Sequence, residues 1–203
     1  MIFSCVTCDV NNDTERTTIT AEEWKAIDNI TNYTMNLIVK TTMSDGSKIN
    51  ISRLLKLTGT AEYHKDFQNF AVIADCYNFL FNGQKYTINH WNDNLYNWDY
   101  KNWHAKESDW EPKSMNDGLG WLEIDYENLI YDEAEKAYVY TIIKDGLAGI
   151  FSYYFVNGRL VKASAYTYDT ENVDEIIKDD YIESIIATFS DIGTTEITVP
   201  NYI

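Results

Sequence analysis

The sequence predicts a mainly β (α+β) chain: a curved antiparallel sheet or half-barrel with a short N-terminal helix and one further short helix on the concave face. Three observations carry this prediction. Apolar and polar residues alternate, as in Tyr33, Met35, Leu37 and Val39 against Thr34, Asn36 and Lys40, which is the period of a half-buried strand. Turn dipeptides punctuate such stretches at Asp45-Gly46, Asn82-Gly83, Asp145-Gly146 and Asn157-Gly158, residue types that accept the positive φ of tight hairpins. Aromatic residues make up 15% of the chain and include sixteen tyrosines, a residue enriched in strands.

Taken in order, Thr20-Ala21-Glu22-Glu23 has the form of a capping box, in which the threonine hydroxyl accepts an amide hydrogen bond and the glutamate reaches back. A helix is expected over 21–29, with Trp24 and Ile27 on its apolar face. A strand follows from Tyr33, a turn at 44–47, and a second strand carrying Ile49, Ile51, Leu55 and Leu57. Tyr63 and the run 70–74 show less pattern. Residues 76–81 and 85–89 flank Asn82-Gly83 and form a strong hairpin signal. A loop is expected over 92–97, a strand over 98–106 with Trp98, Tyr100 and Asn102 on one face, and a second loop over 111–120. Strands are then expected at 121–126, 137–143, 148–156 and 159–168, a meander with short turns. A helical turn at 173–178 and extended runs at 181–189 and 194–199 complete the chain.

Length and composition fit one domain. The 203 residues are 45% hydrophobic and 24% charged, with two prolines, values of ordinary folded chains. The segment 1–18 reads as a tether and 19–203 as a single β domain. The formal net charge of -16 repels phosphate backbones and anionic surfaces, so nucleic-acid partners are excluded. No segment approaches the about eighteen consecutive apolar residues that a spanning helix needs.

Three cysteines, Cys5, Cys8 and Cys76, offer one Cys-x-x-Cys pair and no second pair to complete a zinc site. Ile2-Phe3-Ser4-Cys5 is close to the end of a bacterial lipoprotein signal, with Cys5 as the residue to be lipidated; the alternative is an accidental match. Only four residues precede Cys5, so the lipoprotein reading expects a charged and apolar leader upstream. Membrane association would then run through a lipid anchor alone.

Five of the six tryptophans, Trp91, Trp98, Trp103, Trp110 and Trp121, fall within 76–126. Such rings fill a core, line a ligand cavity, or, exposed beside Asn- and Asp-rich loops, stack on sugar faces. His64, His90 and His104 lack metal-ligand spacing, and the acidic run 169–180 lacks the spacing of a calcium loop. No nucleophile elbow, phosphate loop or dinucleotide fingerprint occurs. The expectation is a protein that is not an enzyme, without cofactor or metal.

The helix with Glu23-Trp24, the strand Asn32-Tyr33-Thr34-Met35, the segment Phe155-Val156-Asn157-Gly158-Arg159-Leu160-Val161 and the closing Phe189-Ser190-Asp191-Ile192-Gly193 to Thr198-Val199-Pro200 together resemble bacterial lipoproteins of the LolA and LppX type. That resemblance implies a half-barrel with helices against its concave face and a cavity for acyl chains. It also implies a carrier role outside the cytoplasm, at the bacterial cell surface or in the periplasm. The expected function is binding of a hydrophobic small molecule or lipid within the curved sheet. The expected ligand-binding residues are the alternating apolar positions Tyr33, Met35, Leu37, Phe79, Phe81, Trp98, Tyr100, Trp103, Tyr153 and Phe155. The alternatives are a glycan-binding surface module using exposed tryptophans, and a structural surface lipoprotein without a small ligand. The sequence specifies no partner protein and no oligomeric state.

Overall fold

The computed structural model describes residues 18–91, 106–111, 113–115 and 126–199. Among them the chain forms a single curved, unclosed antiparallel sheet with one short α-helix. Helix α1 spans Ala21–Asp28 and closes with the predicted capping box: the Glu23 amide donates to Thr20 Oγ1 at 3.2 Å, and the Thr20 amide donates to Glu23 Oε2 at 3.0 Å. Both contacts satisfy amides that have no partner within the helix.

Eleven strands follow: β1 (Tyr33–Thr42), β2 (Lys48–Leu57), β3 (Ala61–Gln68), β4 (Ala71–Phe81), β5 (Gln84–Trp91), β6 (Lys106–Glu107), β7 (Ile130–Asp132), β8 (Ala137–Lys144), β9 (Leu147–Val156), β10 (Arg159–Tyr168) and β11 (Glu183–Ser190). Their order in the sheet is β6-β5-β4-β3-β2-β1-β11-β10-β9-β8-β7. Two meanders, β1 to β6 and β7 to β11, therefore meet along one seam where β1 pairs with β11. The turn dipeptides work as expected: Asn82, Asp145 and Asn157 have φ near 50° and each precedes a positive-φ glycine, the backbone that reverses a twisted hairpin in two residues.

Register assigns every strand residue to one of two faces. On the first face, Tyr33 lies opposite Leu57, Met35 opposite both Leu55 and Phe189, and Tyr153 opposite Tyr138 and Ala163. Helix α1 packs there. Ile27 is buried, and Trp24 meets Tyr153 edge-on at 5.2 Å and stacks with Tyr126 at 6.2 Å. With Ile19, Met115 and Leu129 these residues form the main core.

The second face is covered in part by irregular chain, while Asn36, Ile38 and Lys40 on it are exposed. The run 194–199, expected to be extended, joins no strand. Asn32 Oδ1 accepts the Thr195 amide at 2.8 Å, and the Thr34 and Thr195 hydroxyls are 3.0 Å apart. Ile197 and Val199 then pack on Ala61, Phe79 and Ile88. Farther along the same face, the connection from β10 to β11 folds back over the sheet through a 3₁₀ turn at Val173–Glu175, where a helical turn is expected. Among the described residues no helix is long and apolar enough to cross a membrane.

Candidate functional site

The seven sequence-predicted positions that lie among the described residues fall on two faces of the sheet. Tyr33, Met35, Leu37, Tyr153 and Phe155 come together on the α1 face. Tyr33, Met35 and Tyr153 are buried, and Leu37 and Phe155 are half-buried against the same cluster. They belong to one cluster with Trp24 and Ile27 of the helix, and Tyr153 meets Trp24 directly. Phe79 and Phe81 lie on the opposite face: Leu57 pairs with Glu62 and Glu62 with Asn78, so the α1 face runs through Asn78. Phe79, one residue on, points away from it. Phe79 is buried beside Tyr86, and Phe81 is exposed. Trp98, Tyr100, Trp103 and Cys5 lie outside the described residues.

Among the described residues a cleft opens on the second face. Val139 and Thr141 of β8, Ile150, Ser152 and Tyr154 of β9, and Lys162, Tyr166 and Tyr168 of β10 form its floor, with Ile176 and Lys178 above, enclosing about 430 Å³. Register pairs these floor residues directly: Val139 with Ser152, Thr141 and Tyr166 with Ile150, and Lys162 with Tyr154. Two contacts fix the roof. The Tyr168 hydroxyl donates to the Lys178 carbonyl at 3.2 Å, and Lys178 Nζ lies 2.6 Å from Glu135 Oε1.

A β-bulge orients the site. Between Leu160 and Lys162 the β10 register slips by one, with Leu160 opposite Phe155 and Lys162 opposite Tyr154. Residues two apart ordinarily share a face. Here the extra residue, Val161, leaves Leu160 buried in the core beneath α1 and turns Lys162 into the cleft, the re-aiming that bulges perform. Lys162 Nζ rests 4.4 Å from the centroid of the Tyr154 ring, a cation over an aromatic face. Burial pushes the hydroxyl pKa values of Tyr166 and Tyr168 upward, so these tyrosines stay neutral hydrogen-bonding groups.

Sequence reasoning missed Tyr154, Lys162, Tyr166 and Tyr168. Two signals were present. In Phe151-Ser152-Tyr153-Tyr154-Phe155 aromatic residues occupy both parities, the mark of a strand covered on both faces. The adjacent apolar pair Leu160-Val161 breaks an otherwise alternating run.

A second polar assembly lies on the α1 face, where β2 to β5 leave the apolar core. Arg53 and Asp66 form a two-bond ion pair at 2.6 and 2.7 Å. Glu62 accepts from Asn78 at 3.0 Å and from the Trp110 indole at 3.2 Å, and lies 3.5 Å from His64 Nδ1. Burial disfavours the charged imidazole, but interactions with Cys76 and Glu62 outweigh it and raise the His64 pKa to about 9. Burial likewise pushes the Glu62 carboxyl up, and the hydrogen bonds it accepts, together with the charge of His64, bring it below its ordinary value. Cys76, directly opposite His64 on β4, is buried with a free thiol. The buried charges are thus paired, as burial requires. Among the described residues no cluster of three or more His, Cys, Asp or Glu side chains suits a metal ion.

No family model matches the chain, and no curated protein matches it significantly. Among solved structures, a candidate outer membrane lipoprotein-sorting protein domain from Vibrio parahaemolyticus is similar over 89% of this chain and 92% of that chain, at 12% identity and a TM-score of 0.24. A likeness of this strength leaves the reading of the site to the chain's own residues.

Proposed function

We propose that this protein is a non-catalytic binder of a hydrophobic or amphipathic small ligand, held in the cleft between β8 to β10 and the connection that follows β10. The cleft itself is the observation that carries the proposal. Its volume of about 430 Å³ falls within the roughly 300–1,000 Å³ typical of small-molecule sites. Its wall is mixed: tyrosine rings and aliphatic side chains stand beside Thr141, Ser152, Lys162, Lys178, Asp132 and Glu135, so apolar surface and polar groups that can orient a ligand meet in one place. The α1 face, by contrast, is occupied by its own side chains.

Binding would proceed by burial, since each methylene removed from water contributes about 0.8 kcal/mol. An extracytoplasmic location, with anchoring through Cys5, is part of the same proposal and rests on Ile2-Phe3-Ser4-Cys5.

The test is to extract natively purified protein with organic solvent and analyse the extract by mass spectrometry, beside an unrelated acidic protein from the same host. Titration with a fluorescent acyl probe runs in parallel for the wild type and Tyr166→Ala. A stoichiometric ligand, or saturable probe binding weakened by Tyr166→Ala, is the expected result. An empty extract together with no saturable probe binding overturns the proposal.

A further inference from the structure

We infer that the cleft selects amphipathic ligands with an anionic headgroup, a carboxylate or a phosphate, and that Lys162 is the headgroup's counter-ion. The inference rests on the cleft being the ligand site. Its basis is an imbalance of partners. In a chain of formal net charge -16, the cleft's own carboxylates are engaged: Glu135 is paired with Lys178, and Asp132 Oδ1 accepts the Ala134 and Glu135 amides at 2.8 and 3.0 Å. Lys162 has no carboxylate within ion-pair distance among the described residues. It rests on the Tyr154 ring, half-buried.

The bulge at Val161 makes this arrangement specific. Without the extra residue Lys162 would share the α1 face with Leu160, against an apolar core. With it, the ammonium stands in the cleft floor. Next on that face of β10 is Ser164, between Lys162 and Tyr166, fully buried and with a hydroxyl that has no hydrogen-bond partner among the described residues. Its cross-strand neighbour Ser152 lines the cleft. An anionic oxygen held by Lys162 would supply an acceptor beside these hydroxyls, and hydrogen bonds to a charged acceptor are the strong ones. The ligand's apolar body would then lie over Ile150 and Tyr166, beneath Ile176.

The test compares dodecanoate, dodecyl phosphate, dodecanol and dodecylamine as competitors of a fluorescent acyl probe on the full-length protein. The assay is repeated with Lys162→Met and with Lys162→Arg. The expected order places the carboxylate, the phosphate or both at least about tenfold tighter than the alcohol, which corresponds to about 1.4 kcal/mol. Whichever of the two anions is tighter identifies the headgroup. Lys162→Met is expected to erase the preference for the anions over dodecanol, and Lys162→Arg to retain it. Circular dichroism of both variants checks folding. If dodecanol or dodecylamine binds as tightly as the anions to the wild type, or if the preference survives in folded Lys162→Met, the inference is wrong while the cleft remains a binding site. If none of the four competes, the proposed function falls with it.

Discussion

Tyr153→Phe separates a core role from a ligand role at the centre of the α1 face. The Tyr153 side chain is fully buried, its hydroxyl has no hydrogen-bond partner among the described residues, and burial drives its pKa well upward. An unpaired buried hydroxyl costs roughly 1–3 kcal/mol. The phenylalanine ring keeps the edge contact with Trp24 at 5.2 Å and the cross-strand contacts with Tyr138 and Ala163. Loss of one oxygen leaves a void smaller than a methyl group, offsetting at most about 1 kcal/mol. The variant should therefore be more stable by about 1 kcal/mol, raising the melting temperature by about 2–4 °C in a chain of this size. Urea and thermal unfolding measure the change. Acyl-probe affinity should not move. Destabilisation by about 1 kcal/mol or more would refute the reasoning, because it would mean that the hydroxyl makes a favourable bond in the folded protein. Loss of probe binding without loss of stability would return Tyr153 to the ligand site.

Stability should fall as pH rises from about 6.5 to about 9. His64 has a folded pKa of about 9 against an ordinary 6.5, so its contribution is complete below the lower value and lost through the higher one. His64→Gln should flatten that window in denaturant titrations at a series of pH values. Thr20→Ala removes the hydroxyl half of the capping box, the acceptor of the Glu23 amide, and keeps the residue-20 amide that donates to Glu23; it should cost about 1 kcal/mol in thermal unfolding, and an unchanged melting temperature would mean that the hydroxyl adds nothing to the anchoring of α1 by Trp24 and Ile27. Leu57→Ala, at a fully buried position facing Tyr33, should cost about 2–5 kcal/mol, read from the urea midpoint at constant slope. Gly149→Ala places a methyl 3.1 Å from Ile142 Cγ2 and 3.2 Å from Phe151 Cε2; it should destabilise by about 1–3 kcal/mol, and a neutral result would show that β8 and β9 can yield there.

The hairpins were legible because their turns are written in residue types that few other structures require. The capping box and the pairings across Asn82-Gly83, Asp145-Gly146 and Asn157-Gly158 follow from local chemistry. Strand β3 was not legible. Its Glu62, His64 and Asp66 occupy the inward parity, so the alternation carries carboxylates and an imidazole where a reader looks for aliphatic side chains. Only the pairing of those groups with Arg53, Asn78 and Trp110 makes them interior residues, and that pairing exists only once distant segments have met. The cleft was hidden for a related reason. Tyr153 and Tyr154 are equally aromatic, and nothing local states which faces the helix. The decision rests on the β9 register and on the slip at Val161, and both are set by neighbouring strands.

The seam between the two meanders dictates the order of assembly. Every other pairing between the named strands joins strands that follow one another in the chain. Across β1 and β11, residues such as Asn36 and Thr188 are 152 positions apart. Neighbouring hairpins form on the microsecond scale, whereas a pairing so distant must first overcome the entropy of closing nearly the whole chain. The two halves thus ripen separately, and the α1 core completes only when they join, because α1 belongs to one half and its Tyr153 contact to the other. Met35, Ala187 and Phe189 line this seam. The cleft, built within the second meander alone, takes shape without waiting for them.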